Sequence, residues 1–383
     1  MDIAEQALKL HKKLKGKIAI VPKIKIKNRH QLSLIYTPGV AAVSQYLVKN
    51  KNNLSDYTIK SNSVAVVSDG SAVLGLGNIG PEGALPVMEG KCLIFKSFAN
   101  IDAFPIVLST QDPEEIIKTI VAISPSFGGI NLEDIAAPKC FYIEETLKKR
   151  LDIPVIHDDQ WGTATVVLAA LINSLKVVEK KIDQVKIVVL GAGAAGSAVV
   201  KILNASGGKN ILVCDRQGII YQGRKGNSPE KEGLAKITIP NQEKGDLAFA
   251  LKRADVLIGV SGANLVTASM SSSMNRQAII FAMANPYPEI KPEVAKKAGV
   301  YIFASGRSDI SNQVNNALVF PGIFRGALDN KIKKITLQMF IRAAQNLASL
   351  VKNPTQEKII PSIFDKGVVS AVARAIFNKD SLI

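Results

Sequence analysis

Cysteine, aromatic side chains and long hydrophobic runs are all scarce in this 383-residue chain. Three cysteines (Cys92, Cys140, Cys214), odd in number and widely spaced, exclude a disulfide framework and offer no zinc spacing. They fit a reducing, cytoplasmic setting and read as small buried hydrophobes. Aromatics make up 5% against 47% hydrophobic residues overall, so the core is expected to be aliphatic. The longest apolar stretch, VVLAALINSL, is too short and too polar to span a bilayer, and the N-terminus has no apolar signal segment. Repeats and low-complexity tracts are missing as well.

The charge is one-sided, with 48 Lys and Arg against 32 Asp and Glu. That excess raises an RNA- or polyanion-binding reading. The lysines are spread out, however, with mild clusters at 12–17 and 23–27 and no aromatic-interleaved patch. A solvated surface that favours small anionic substrates fits better, with no nucleic-acid partner.

Two segments match the dinucleotide pattern G-x-G-x-x-G: GLGNIG (75–80) and GAGAAG (191–196). GAGAAG follows the strand-like KIVVL, precedes SAVVKILNASG at helical spacing, and leads to NILVCD, whose Asp215 lies 19 residues beyond Gly196. These features agree on a pyrophosphate loop, with Gly191, Gly193, Ala194, Ala195 and Gly196 at the cofactor. GLGNIG runs into PEGALPVMEG, where two prolines and two glycines in ten positions predict no crossover helix. It reads as a glycine-rich turn.

A helix is expected over 2–15 with Asp2 as its cap, followed by strands at 18–21 and 64–68. Asp112-Pro113 opens a further helix, a strand follows at 130–132, and AAPKCFYIEETLKKR is helical. IPVIHDD is a strand, and GTATVVLAALINSLKVV a long helix. Beyond the glycine loop, 221–246 reads as a loop or insertion, and 255–260, 278–285 and 300–305 as buried parallel strands. KKITLQMFIRAAQNLASLV and the last 25 residues are expected to be helical. The class is α/β: a smaller N-terminal α/β substrate domain (1–160), then a doubly wound Rossmann-type dinucleotide-binding domain with C-terminal helices (161–383).

Two acidic pairs, Glu133-Asp134 and Asp158-Asp159, each end a predicted strand, where ligand crevices form in open α/β sheets. Carboxylate oxygens suit Mg²⁺ or Mn²⁺, although Asp159 could instead cap the following helix. His157 is a structural residue or a partner to these acids. Tyr36 in YTPGV is a surface phenol or an exposed acid. Lys91 in MEGKCLIF stands at the start of an apolar strand, as an edge lysine or a buried base. Asn285, Asn315 and Asn316 are turn formers or crevice residues.

The ordered motifs YTPGVA, SDGSAVLGLGNIGPEGALPVMEGK, FGGINLEDIAAP, IHDDQWGTA, VVLGAGAAG, MANPYPE and NNALVFPGIFRGAL resemble the malic enzymes, in their short prokaryotic form, over roughly residues 15–375. The resemblance implies metal-dependent oxidative decarboxylation of malate to pyruvate with NAD(P). Tyr36 then matches the general acid, Lys91 the general base, and Asp158 the carboxylate that supports the lysine. Glu133, Asp134 and Asp159 match the ligands of Mg²⁺ or Mn²⁺. Asn285 matches a substrate or nicotinamide contact, and Asn315 a substrate contact. GLGNIG becomes part of the substrate domain's marker segment. Longer members carry an arginine where this chain has Ala72, and short members often have histidine where it has Trp161. Asp215 favours NAD through the ribose 2′-hydroxyl, while Arg216, with Arg224 or Lys225, could cradle the phosphate of NADP. A malolactic reaction from the same site is the sibling reading, and a homo-oligomer is expected.

Overall fold

In the computed structural model, which describes residues 3–73, 75–238 and 243–378, two parallel sheets share one long helix. The first sheet holds β1 (Ser63–Ser68), β2 (Asp102–Val107), β3 (Gly129–Leu132) and β4 (Val155–His157), in the order β2-β1-β3-β4. The second holds β5 (Lys186–Leu190), β6 (Asn210–Asp215), β7 (Gly218–Ile219), β8 (Val256–Gly259), β9 (Ile279–Ala282) and β10 (Ile302–Ser305), in the order β10-β9-β8-β5-β6-β7. All pairings are parallel except the short β6–β7 edge. The second order reverses direction between β5 and β8, which places a ligand crevice beyond their carboxyl ends.

The helix Asp158–Val177 starts directly after β4 and is buried along most of its length. Val166, Leu168 and Leu171 join β1, β5, β8 and the C-terminal helices Phe320–Asp329 and Leu337–Ala348 in one continuous apolar core. Residue 160 therefore lies within a helix. Separate apolar clusters cover the outer face of each sheet.

Several expectations are overturned. Residues 80–99 form a helix, Gly80–Ala99, despite Pro86 in its interior. Its buried positions, Ala84, Met88, Lys91, Cys92, Phe95 and Ala99, recur at helical spacing, and burying that stripe outweighs poor propensity. Pro81 stands in the first turn, where its missing N–H costs nothing. GLGNIG thus lies inside a β1–helix–β2 crossover, Asp102 opens β2, and Lys91 is helical rather than the start of a strand. No strand forms at 18–21, where Ile20 and Val21 are exposed. The stretch 221–246 contains the helix Pro229–Ile237, capped by the Ser228 side chain. Between 359 and 378 the only α-helix is Val368–Ala373. The cap expected at Asp2 lies outside the described residues.

The N-terminal arm differs from the rest of the molecule. Its helices Ile3–Leu14, Arg29–Ile35 and Gly39–Lys49 bury no residue, and Ile3, Leu8, Leu34, Tyr36, Val48 and others are exposed.

Candidate active site

The acids converge because strand ends converge. Leu132 pairs with His157 at the last register position of β3 and β4, so the residues that follow, Glu133-Asp134 and Asp158-Asp159, emerge side by side. Asp134 adopts a left-handed backbone (φ 53°), and its N–H donates to Asp159 Oδ2 at 2.9 Å. Glu133, Asp134 and Asp159 each offer an oxygen within 4.8 Å of the others.

Lys91 reaches this group from the helix Gly80–Ala99. Its side chain is 8% exposed, and its ammonium pairs with Glu133 Oε1 and lies 2.5 Å from Asp158 Oδ2. It also sits over the Phe320 ring, 4.5 Å from the centroid. Burial opposes charge on Lys91, but Asp158 and Glu133 outweigh it and hold the ammonium above its ordinary range. Burial likewise pushes Asp158 and Asp159 up to about 6 and raises Glu133, with Lys91 pulling each back down. Asn131 donates to Glu133 Oε2 at 2.9 Å. A cluster of buried and half-buried acids beside one lysine leaves negative charge in excess, and three such carboxylates fit a hard divalent cation.

Support comes from residues that carried no clear signal in the sequence. Gly162 faces Asp158 one turn on, and a Cβ there would collide with Asp158 Oδ1. Glu144 is buried and accepts from His157 N (3.0 Å), Gln160 Nε2 (3.0 Å) and Trp161 Nε1 (3.2 Å). Trp161 stacks on Phe340 at 5.2 Å, so its place here is structural packing. His157, which burial disfavours as a cation, puts Nε2 3.5 Å from Asp159 Oδ2.

These groups open into a cleft of about 1050 Å³ whose far wall belongs to the second sheet. Lys91, Glu133, Asp134 and Asp159 line one side; Gly193, Ala194, Ala195, Asn285 and Asn315 line the other. The glycines of GAGAAG play distinct parts. Gly191 has a left-handed backbone (φ 117°) and stands so close to Val260 that a Cβ would lie 2.7 Å from its carbonyl oxygen. Gly193 faces open space, and Gly196 packs on the Gly191 carbonyl. Glu289, buried, accepts from Ser261 N (2.8 Å) and Ala284 N (3.1 Å), fixing the loops after β8 and β9. Asn315 caps the turn 316–318 through Ala317 N. Gly75 of GLGNIG presses against the Asn285 carbonyl, so this loop approaches protein backbone. Ala72 lines the cleft too, as does Lys17, whose ammonium donates to the Pro86 carbonyl.

Three predicted residues stand apart. Tyr36 is 64% exposed and is not among the residues lining the cleft. Asp215, at the end of β6, accepts from Arg224 and Lys231, while Arg216 is exposed.

Comparison with known proteins gives this geometry its context. Residues 15–114 and 109–148 match the malic enzyme N-terminal domain, and 161–379 the malic enzyme NAD-binding domain. A bifunctional malic/malolactic enzyme of Bacillus subtilis is 52% identical over 98% of this chain and 92% of its own length. An NADP-dependent malic enzyme of Escherichia coli is 43% identical, and this chain spans about half of it (52%). The crystal structure of an NAD-dependent malic enzyme from Thermotoga maritima superposes with a TM-score of 0.94 at 50% identity, covering 97% of this chain and 98% of that one. With that likeness extending over both sheets and the cleft between them, the chain belongs to the malic enzyme family, in its short prokaryotic form.

Proposed function

We propose that this protein oxidatively decarboxylates malate to pyruvate and CO₂ with reduction of NAD(P). The observation that carries this reading is the meeting of Lys91 and the three-carboxylate cluster with the GAGAAG loop in one cleft. Glu133, Asp134 and Asp159 would hold Mg²⁺ or Mn²⁺, which supplies Lewis acidity toward the substrate's C2 oxygen and carboxylate. Gly191 to Gly196 receive the pyrophosphate, and Asn285 and Asn315 orient substrate and nicotinamide. Lys91 takes the C2 hydroxyl proton as hydride leaves, with Asp158 holding the amine in place. With Glu133 engaged as a ligand, Lys91 keeps Asp158 alone, and its ammonium is less favoured. After loss of CO₂, C3 is protonated by an acid, for which Tyr36 is the candidate. The substrate domain ends and the dinucleotide domain begins near residue 160.

The exposed arm supports a homo-oligomer. Tyr36 lies between two helices that bury no residue and expose many apolar ones, and pairing about a two-fold axis would cover them. In that arrangement each Tyr36 serves its partner's cleft. Among the described residues no helix is long and apolar enough to cross a membrane, and the three cysteines are buried and free, in keeping with a cytoplasmic enzyme.

Malate turnover with Mn²⁺, with NAD and NADP in parallel, tests the reading. Equal amounts of pyruvate and reduced cofactor, abolished by EDTA, are expected. Lactate without net reduced cofactor would replace it with the malolactic reaction, the second activity in the Bacillus subtilis relative's name.

A further inference from the structure

The ribose end of the dinucleotide site carries a charge arrangement that a lone strand-end aspartate does not have. Asp215 Oδ1 accepts from Gln217 N (2.9 Å) and Arg224 Nη1 (2.9 Å). Its Oδ2 accepts from Arg224 Nη2 (2.5 Å) and Lys231 Nζ (2.7 Å). A carboxylate has about four acceptor positions, so these four donors fill it. A ribose 2′-hydroxyl can therefore bond to Asp215 only by displacing one of them.

Arg224 cannot leave easily. It is buried, and it also donates to Asn227 Oδ1 (3.0 Å) and to the carbonyls of Gly218 and Ile219 (both 3.3 Å). Lys231 is different. Its side chain is 31% exposed, it stands in the first turn of Pro229–Ile237, and its ammonium donates to Asp215. Two cations against one carboxylate leave the cluster net positive, so the repulsion that Asp215 alone would exert on a 2′-phosphate is cancelled.

We propose that Lys231 is the exchangeable partner of Asp215 and sets cofactor choice. It yields Oδ2 to the 2′-hydroxyl of NAD, and turns to the 2′-phosphate of NADP while Arg224 keeps Asp215 neutralised. The chain then binds both dinucleotides. This rests on the reading that GAGAAG holds the pyrophosphate, which brings the adenosine ribose to the end of β6.

The test is direct binding of NADH and NADPH to the full chain, followed by nicotinamide fluorescence without malate, at two salt concentrations. Wild type is expected to bind both. Lys231→Met should weaken NADPH about tenfold or more and tighten NADH, since it removes a charge-assisted bond to phosphate and frees Oδ2. Asp215→Ser should shift affinity the opposite way, toward NADPH, and its melting temperature reports whether the fold survives. NADPH binding should fall more steeply with salt in wild type than in Lys231→Met. Equal effects of Lys231→Met on both dinucleotides, no effect on either, or wild-type binding of NADH alone would overturn the proposal. Binding of neither by wild type would remove the dinucleotide reading beneath it, a separate outcome.

Discussion

Lys91 Nζ lies 2.5 Å from Asp158 Oδ2, and it is Gly162, one turn further along the same helix, that leaves room for the carboxylate to be there. The contact joins a helix of the first sheet's crossover to the helix that begins at the end of β4. Replacing Lys91 by Met should lower kcat about 10²–10⁴-fold, the usual worth of a positioned acid or base. Mn²⁺ binding, measured by calorimetry, should survive because the three carboxylates remain. Residual turnover near wild type would exclude Lys91 as the base.

Gly162→Ala should reposition Asp158 without removing it. The added methyl meets Asp158 Oδ1 and, at 2.7 Å, its Cγ. Overpacking of this kind costs about 1–3 kcal/mol, read from the denaturant midpoint, and kcat should fall with it. A variant of unchanged stability and turnover would mean that the helix absorbs the methyl.

Trp161→Phe separates packing from chemistry. The ring can still face Phe340, while the 3.2 Å bond from Nε1 to Glu144 is lost. About 1 kcal/mol of stability should go with it. The KM for malate should stay close to that of wild type; a large rise would give Trp161 a part in substrate binding.

The acids set a pH dependence. Asp158 and Asp159 rise from 3.8 to about 6, chiefly through burial. Each binds its proton more tightly in the fold than in the unfolded chain, so without a cation the fold loses stability as pH rises from about 4 to about 6. Mn²⁺ competes with those protons. The gain in melting temperature from Mn²⁺ should therefore widen between pH 5 and 7.5. A gain that is largest at pH 5 would remove Asp159 from the metal site.

Mixing two inactive variants tests the exchange of Tyr36. If Tyr36 acts in the partner's cleft, hybrids of Tyr36→Phe and Lys91→Met chains hold one intact site each. Random reassembly then restores about a quarter of the wild-type activity. If both residues serve the same cleft, each hybrid again has one intact site only when a chain carries neither change, which never occurs, and activity stays absent.

Legibility in the sequence followed how local each signal was. The second glycine loop was readable because strand, loop, helix and Asp215 all lie within 30 residues, and the acidic pairs because strand ends are visible as apolar runs. The helix Gly80–Ala99 was not. Its prolines and glycines dominate any local estimate, and its stabilising stripe, Met88 and Phe95 included, acts only once Phe320 and Phe324 arrive from far along the chain. That error also misplaced Lys91. Pro229–Ile237 was within reach, since Ser228-Pro229 is a helix-start signal set among polar residues. Glu144 and Gly162 left no trace in pattern or spacing, because their importance lies in what they face across the fold.

The helix Asp158–Val177 bears Asp158 and Asp159 on its first turn, and its buried length packs in the same core as Ala194–Ala205, the helix that opens at the glycine loop. On the proposed reading, the spacing between reacting carbon and nicotinamide is set by these two helices packed side by side. Hydride distance in this enzyme is accordingly a dimension of its interior, and mutations deep in that interior, remote from every substrate contact, should be felt in the hydride step.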